Sequence, residues 1–311
     1  MGSAILGVGH HLPDVVERLG VQRPIAIEPI GPSKLAARAA QSAFAAAKRT
    51  PADVDFIIFA TMTPDVTFPG SGVYFQHELG CGTTGALDIR AQCAGFIYSL
   101  AIADQFAGIG PYGCILVAGG EVHSSGLDYS DRGRSVACLY GDGAGVAIVG
   151  SIDGSRGIRA TSMHADGRHH REFWCEYPAS KRHPVRITVD DIRAGRHFPT
   201  IQVDKVREFT LGAMPSVIHE TLEKAGLRAG EVDRWILSCI LPEAAEEVAH
   251  RLDLAKDTVD IPSARHGHLT AAALPVALSE GLESGTLAEG AIVGLAACGA
   301  GFAWGAAIIE L

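Results

Sequence analysis

The chain has 311 residues, of which 26 are Lys or Arg and 35 are Asp or Glu, so its formal charge is −9. Hydrophobic residues make up 47% and charged residues 20%, a balance that excludes disordered, collagen-like and coiled-coil proteins. The negative charge argues against nucleic-acid binding, which needs clustered positive charge. We therefore expect a packed globular protein with no nucleic-acid partner.

The start of the chain and its seven cysteines indicate where the protein acts. Residues 1–13 contain no basic stretch followed by an apolar signal core, and no apolar run reaches membrane-spanning length. The cysteines are odd in number and lack paired CxxC spacing, so they indicate neither a disulfide framework nor a zinc site. The sequence predicts a soluble cytoplasmic protein with no membrane association and no metal, whose thiols are mostly buried and reduced.

The first half of the chain alternates helical and strand-like segments. Residues 34–48 are rich in alanine and predict a helix, and residues 46–60 predict the end of that helix, a short turn and a buried strand. Residues 94–106 predict a buried helix. Residues 112–121 predict an apolar strand that ends in glycines. This alternation indicates an α/β protein.

The second half repeats the first at an offset of 178 residues. Asp233 corresponds to Asp55, and each follows a helix end and precedes an apolar strand. The same offset places residues 112–121 on residues 290–299, where a turn, an apolar strand and a glycine-bearing end recur. Two segments in register at one spacing predict a duplicated layered structure.

A divergent segment separates the two halves. Residues 163–200 are rich in histidine and arginine and break the alternating pattern, so we interpret them as a long surface excursion. Residues 206–224 and 271–281 then predict the helices of the second half. We therefore predict an N-terminal half at residues 1–155 and a C-terminal half at residues 156–311 that includes the excursion.

The segment DIRAQCAGFIYSL at residues 88–100 is the sharpest local feature. Cys93 lies there between a strand-like segment and an apolar helix. The amino end of a helix favours the thiolate, which is the nucleophilic form of cysteine. A nucleophile and a buried structural thiol are the two interpretations, and the position of Cys93 favours the nucleophile.

Four segments together resemble the ketoacyl synthase III (beta-ketoacyl-acyl-carrier-protein synthase III) branch of the thiolase-like condensing enzymes. They are DIRAQCAGFIYSL at 88–100, YGDGAG at 140–145, RHGHLTAAALP at 265–275 and CGAGFAWGAAIIEL at 298–311. The resemblance covers nearly the whole chain. It implies a thiolase-like five-layered α-β-α-β-α fold of two pseudo-repeated halves and a homodimer. It also implies acyl-CoA or an acyl carrier protein as the thioester substrate, with no further cofactor.

The resemblance also implies roles for single residues. Cys93 would be the acylated nucleophile, and its backbone N–H, with that of Ala300, would form the oxyanion hole. Cys239 stands where the family usually has a histidine, and His268 stands where it usually has an asparagine. The implied catalytic residues are thus Cys93, Cys239 and His268, with His268 either accepting the thiol proton or donating a hydrogen bond to a thioester carbonyl. For Cys239, a thiolate base and a small buried filler both stay open.

The implied function is an acyltransferase that forms an S-acyl intermediate on Cys93. It would pass the acyl group to a carbanion, in a ketoacyl synthase III-like Claisen condensation, or to an oxygen or nitrogen nucleophile. The altered site favours specialised metabolism of the polyketide or fatty-acid-like kind, because decarboxylation is the step that the missing histidine affects most. The alternative is a catalytically reduced partner subunit, or an acyl-binding scaffold, of an active condensing enzyme.

Several other polar residues are interpreted without a catalytic role. Glu121 and His123 are interpreted as a structural polar pair, and His266 as a structural residue. The arginine and the tryptophan that the family uses near its CoA site are missing from the corresponding segments. The basic residues of segment 163–200 are candidates to replace that positive charge, and a solvated loop is the competing interpretation.

Overall fold

Two five-stranded sheets form the framework of the protein. A computed structural model describes residues 2–154 and 156–311. In these residues the strands are β1 (Gly2–His11), β2 (Val15–Arg18), β3 (Val21–Pro24), β4 (Phe56–Ala60), β5 (Gly85–Ile89), β6 (Ile115–Glu121), β7 (Gly143–Ile152), β8 (Ile158–Ala165), β9 (Phe173–Cys175), β10 (Pro199–Ile201), β11 (Arg234–Ser238), β12 (Val259–Asp260), β13 (Ile292–Gly299) and β14 (Ala303–Glu310).

Helices connect most of these strands. They are α1 (Pro32–Ala47), α2 (Ser71–Leu79), α3 (Gly95–Ile109), α4 (Arg134–Ala137), α5 (Val189–Arg193), α6 (Val203–Ala225), α7 (Pro242–Arg251), α8 (Pro262–His266) and α9 (Ala273–Glu283). Among the described helices, none combines the length and the apolar character that crossing a membrane requires.

The two sheets have the same topology and the same register. Their strand orders are β1-β7-β6-β4-β5 and β8-β14-β13-β11-β12. The three strands at one end of each sheet are parallel, and the other two are antiparallel to their neighbours. Phe56 pairs with Ile115 in the first sheet, and Arg234 pairs with Val293 in the second. Each residue of the second pair is 178 positions after its counterpart in the first pair. The predicted duplication is confirmed.

The corresponding aspartates make the same contacts in both halves. The Asp55 carboxylate accepts hydrogen bonds from the backbone N–H groups of Gly113 and Cys114, at 2.8 and 2.9 Å. The Asp233 carboxylate accepts one from the N–H of Ile292 at 2.8 Å. Each aspartate thus satisfies backbone donors at the start of the neighbouring strand, which would otherwise lack a partner.

The helices and sheets stack in five layers. Helices α3 and α9 lie between the two sheets, α1 and α2 cover the outer face of the first sheet, and α6 and α7 cover the second. Both sheets contact helix α3, which is why its sequence is apolar on most sides. Its residues Phe96, Ile97 and Leu100 are fully buried. The five-layered fold agrees with the prediction, while the boundary between residues 155 and 156 stays a prediction.

The two central helices begin on equivalent turns. Gln92 and Thr270, again 178 residues apart, both have left-handed backbone conformations, with φ of 49° and 44°. Each starts a single 3-10 turn, Gln92–Ala94 or Thr270–Ala272, that leads into α3 or α9. Non-glycine residues keep this conformation only where the surrounding structure imposes it. The two turns contact each other, so the duplication brings both helix starts to one place in the core.

Part of the segment at 163–200 is ordered and buried, so its interpretation as a surface excursion is incomplete. Strands β9 and β10 pair as an antiparallel ribbon, and Phe173 is only 2% exposed. Asp191 is equally buried, and it forms ion pairs with Arg182 and Arg196 at 3.1 and 3.2 Å. Polar composition alone predicted solvation, but the buried carboxylate is compensated by these two guanidinium groups.

Candidate active site

Cys93 lies in the turn that connects β5 to α3, directly after the left-handed Gln92. Its side chain is fully buried, and its Sγ lies 2.9 Å from Nε2 of His268. Gly299, the last residue of β13, provides the space for the sulfur, because a Cβ at that position would collide with it. The glycine-rich ending that the sequence contains thus has a steric role beside Cys93.

Backbone contacts fix the position of His268. Its N–H donates a hydrogen bond to the Leu139 carbonyl oxygen at 2.7 Å, and it forms a parallel bridge with Tyr140. Gly267 precedes it with a φ of 70°, a conformation that favours glycine. The imidazole is fully buried. The structure therefore brings two of the three predicted catalytic residues, Cys93 and His268, into direct contact.

Burial governs the protonation of this pair. Desolvation raises the pKa of the Cys93 thiol well above its usual range, with further increases from the charges of Cys298 and Glu121. Desolvation also lowers the pKa of His268 to about 3. The resting pair is therefore a neutral thiol that donates to a neutral imidazole. The expected effect of the helix terminus, which favours the thiolate, is outweighed because the helix begins inside the protein.

The backbone N–H of Ala300 influences the Cys93 thiol. It lies in the loop between β13 and β14 and partly opposes the increase in the pKa of Cys93. Donors aimed at the reacting centre stabilise the oxyanion of an acyl-transfer intermediate. This placement is compatible with the predicted oxyanion role of Ala300, which stays a prediction.

Cys239 is buried, and its thiol bonds to its own loop. Its Sγ donates a hydrogen bond to the Leu241 carbonyl oxygen at 3.0 Å. Burial raises its pKa to about 12, although backbone hydrogen bonds at Leu241 and Ala245 act in the opposite direction. A neutral thiol bonded to its own loop is a poor base. The geometry therefore favours the filler interpretation of Cys239.

A buried carboxylate lies next to the Cys93 turn. Glu121, the last residue of β6, accepts hydrogen bonds from the N–H of Met62 at 3.1 Å and from the hydroxyl of Thr63 at 2.7 Å. Complete burial raises its pKa to about 7 in spite of these hydrogen bonds. Nε2 of His123 lies 4.0 Å from this carboxylate and 3.2 Å from the Thr270 hydroxyl.

His123 is a second buried imidazole close to the reacting pair. Desolvation, followed by the charge of His268, lowers its pKa to about 3, so it is neutral. The ring of Tyr140 lies 4.4 Å from that of His123 and 6.2 Å from that of His268. The interpretation of Glu121 and His123 as a structural pair missed this proximity. The signal was available, because both residues lie at the carboxyl end of a strand that is parallel to its neighbour β4, and α/β proteins bind ligands at such ends.

His266 bonds to a different set of residues. Its Nε2 is 2.8 Å from a carboxylate oxygen of Glu280, which also pairs with Arg265. These contacts agree with the structural role expected for His266. The neighbouring histidine at 268, two positions along the chain, is the one that contacts Cys93.

A cleft of about 690 Å³ opens beside the Cys93 turn. Its walls include Gln92 and Ala300, which flank Cys93, together with residues of segment 163–200. Two guanidinium groups, those of Arg90 and Arg186, also line it. The ordered part of the excursion therefore forms one wall of the approach to the site. Within residues 2–154 and 156–311, no group of three His, Cys, Asp or Glu side chains could hold a metal ion.

Comparison with known proteins gives consistent matches over the whole chain. Residues 87–167 match the family model described as 3-oxoacyl-[acyl-carrier-protein (ACP)] synthase III, and residues 222–311 match the model of its C-terminal part. The beta-ketoacyl-[acyl-carrier-protein] synthase III of Bradyrhizobium diazoefficiens is 33% identical over 99% of this chain and 98% of the relative.

Solved structures show the same similarity. The 3-oxoacyl-[acyl-carrier-protein] synthase III of Aquifex aeolicus superimposes with a TM-score of 0.88 and 29% identity, over 100% of both chains. The priming beta-ketosynthase of the R1128 polyketide biosynthetic pathway has a TM-score of 0.88 and 26% identity, over 99% of this chain and 96% of that one.

Fold and sequence together define an acyltransferase of the thiolase-like condensing class. More narrowly, the chain belongs to the 3-oxoacyl-[acyl-carrier-protein] synthase III family. The resemblance identified from its four sequence segments is thereby confirmed.

Proposed function

We propose that the protein transfers an acyl group from an acyl-CoA or an acyl-carrier thioester through an S-acyl intermediate on Cys93. The observation that carries this proposal is the 2.9 Å contact between the buried Sγ of Cys93 and Nε2 of His268. Membership of a family named for acyl-carrier-protein synthases supports a thioester as the acyl donor. A thiol in contact with an imidazole is the arrangement that activates a sulfur nucleophile.

In the first step the Cys93 sulfur attacks the thioester carbonyl while Nε2 of His268 accepts the thiol proton. A new carbon–sulfur bond forms to Cys93, the bond to the donor sulfur breaks, and the proton passes from His268 to the departing thiolate. The proton moves to His268 while the sulfur attacks, because the buried site disfavours a separated thiolate and imidazolium. Backbone N–H groups of Cys93 and Ala300 stabilise the oxyanion, a contribution of about 3 kcal/mol for one such donor.

The second step transfers the acyl group to an acceptor. With a malonyl thioester, loss of CO₂ produces a carbanion that attacks the acyl carbon; the bond from that carbon to the Cys93 sulfur breaks, and the released thiolate takes a proton from solvent. The family's second-motif histidine, a donor to the enolate oxygen in this step, is replaced by Cys239, which bonds to Leu241 instead. Attack by an oxygen or nitrogen nucleophile is the second candidate because it needs no enolate. Either acceptor is compatible with a specialised biosynthetic role.

The cleft beside Cys93 supplies positive charge for the acyl donor. Arg90 and Arg186 line it, and guanidinium groups recognise the phosphates of CoA or of a carrier protein's phosphopantetheine arm. Arg168 of segment 163–200 pairs with Asp166 instead. We place the thioester arm in this cleft, in a protein that acts as a homodimer.

Intact-protein mass spectrometry tests the first step. After incubation with short acyl-CoA and acyl-carrier thioesters, we expect one acyl adduct per chain, absent in Cys93→Ala and retained in Cys239→Ala. If no thioester of either kind acylates Cys93, the proposal fails. An adduct that neither a malonyl thioester nor any oxygen or nitrogen acceptor discharges would instead support the acyl-binding scaffold.

A further inference from the structure

The short helix α5 exposes two large aliphatic side chains to solvent. Val189 is 61% exposed and Ile192 is 48% exposed. The two residues are three positions apart, so they lie on the same face of the helix, and the exposed Arg193 extends that face. Aliphatic side chains gathered on one exposed face, with a polar residue at its margin, indicate a surface that contacts another molecule.

The opposite face of α5 is bonded to the wall of the cleft beside Cys93. The buried Asp191 pairs with Arg182 and with Arg196, as described above. Arg182 also donates a hydrogen bond to the hydroxyl of Tyr177 at 2.9 Å, and the Tyr177 N–H donates one to the Arg196 carbonyl oxygen at 3.3 Å. Tyr177 lines the cleft. The exposed face of α5 is therefore a fixed surface, one side chain away from the cleft wall.

The charges around α5 favour an acidic partner. Among the described residues, three cations of segment 163–200 have no ion-pair partner: Arg171, Lys181 and Arg186. Glu176 is the one carboxylate of the segment in the same situation, so the unpaired charge is positive although the whole chain carries −9. Arg171 and Lys181 lie over the ring of Trp174, which lines the cleft, as Arg186 does. The positive charge is thus at the cleft.

The position of the aliphatic pair selects a protein over a free thioester. Val189 and Ile192 lie outside the cleft walls, so a CoA thioester that enters the cleft does not need them. A folded domain that delivers the thioester on a long arm would contact the surface around the cleft as well. An acidic carrier protein provides such an arm, together with negative charge that complements the unpaired cations. The names of the relatives include an acyl carrier protein.

We infer that an acidic carrier protein, with the acyl group on its phosphopantetheine arm, docks on the exposed face of α5 through Val189 and Ile192. Its arm enters the cleft and presents the thioester to Cys93. This inference rests on the proposed acylation of Cys93 and identifies the partner that delivers the acyl group. Val189 and Ile192 contact the carrier protein only, and neither takes part in the bond-making step.

A comparison of two donors tests the inference. The second-order rate constant of Cys93 acylation is measured with butanoyl-CoA and with each acyl carrier protein of the same organism after loading with a butanoyl group. In Ile192→Glu we expect the constant for the carrier donor to fall about tenfold, because the new carboxylate repels the acidic partner and an apolar contact is lost. The constant for butanoyl-CoA should stay within about twofold, which also shows that the variant is folded.

Two controls separate docking from other effects. Leu282→Glu makes the same change at an exposed leucine near the end of α9, far along the helix from the Cys93 turn, and should alter neither constant. Apo carrier protein, which lacks the phosphopantetheine arm, should inhibit acylation by the carrier donor in the wild type and not in Ile192→Glu. Inhibition without the arm shows that the protein surface itself is bound.

The remaining outcomes separate this inference from the proposed function. Equal changes for both donors in Ile192→Glu, or no change for either, would overturn the inference. A wild type that reacts with butanoyl-CoA and with no carrier protein would overturn it too, and would leave the acylation of Cys93 intact. A lower mass of Ile192→Glu in light scattering would show that α5 contacts a second copy of the chain instead. No adduct with any thioester would overturn the proposed function itself.

Discussion

The identity of single residues decides what chemistry this site can do. His268 provides the imidazole that contacts Cys93, while Cys239 turns its thiol toward the Leu241 carbonyl. The sequence predicted Cys93 and His268 because their motifs occur in the family's order. It did not predict the proximity of His123, or the direction of the pKa change at Cys93, because both depend on contacts between distant segments and on burial.

The two buried imidazoles make stability depend on pH. His123 and His268 have a pKa of about 3 in the folded protein and about 6.5 when unfolded. The unfolded chain therefore binds more protons between pH 6.5 and 3, and the free energy of unfolding falls as the pH decreases through this window. Each imidazole contributes up to about 1.4 kcal/mol per pH unit.

Replacing one imidazole tests this dependence. We measure the free energy of unfolding in urea between about pH 6 and pH 4. As the pH decreases, this free energy should fall by about 1 kcal/mol less per pH unit in His123→Gln than in the wild type. His250→Gln, at an exposed position on α7, should keep the slope of the wild type. Identical slopes for all three proteins would show that His123 is not buried as a neutral group.

Among the helices, α7 supplies a hydrogen bond that α6 lacks. Pro215 lies inside α6 and has no N–H to donate to the Leu211 carbonyl four residues earlier. Arg251, the last residue of α7, donates to that carbonyl at 3.3 Å and also pairs with Glu247. A side chain of one helix thus supplies the hydrogen bond that the other helix lacks.

A double-mutant cycle measures this compensation. Arg251→Ala should cost about 1 kcal/mol of unfolding free energy in the wild type. It should cost less in Pro215→Ala, because the alanine N–H restores the bond within the helix. Arg207→Ala removes the other ion pair of Glu247 and should cost the same in both backgrounds. Strictly additive effects for Arg251 would contradict the account.

The sequence predicted the long elements well and the short ones poorly. The helices expected at 34–48 and 206–224 occur as Pro32–Ala47 and Val203–Ala225, because their composition favours helices locally. Strands β9 and β10 and helix α5 were not predicted. These elements have three to five residues each, and tertiary contacts such as the ion pairs of Asp191 stabilise them.

For the whole molecule, duplication creates a site that neither half contains alone. The 178-residue offset could be identified from the sequence, and at this offset Cys93 corresponds to Ala271 in the second half. The first half supplies the nucleophile, and the second supplies His268 and Ala300. The sequence could not show how the two equivalent turns meet, because that depends on how the sheets pack around α3 and α9.

One edge of the first sheet is suited to pairing with a second copy. Strand β5 ends that sheet, and Leu87 on it is 38% exposed; Val73 and Tyr74 on α2, which packs against β5, are also exposed. Exposed apolar edges tend to pair with another chain. We expect light scattering to give about twice 32.6 kDa for the wild type and a lower mass for Leu87→Glu. Leu282→Glu is the control at another exposed leucine. A monomeric wild type would contradict this prediction.

The single-turnover rate of Cys93 acylation in variants of His268 and Cys239 shows which of the two residues acts with Cys93. If Cys93 and His268 are the reacting pair, His268→Ala should slow acylation about a hundredfold or more, because it removes the proton acceptor. Cys239→Ala should stay within a few-fold of the wild type, because its thiol bonds to Leu241. The opposite order, with a larger loss in Cys239→Ala than in His268→Ala, would contradict the account.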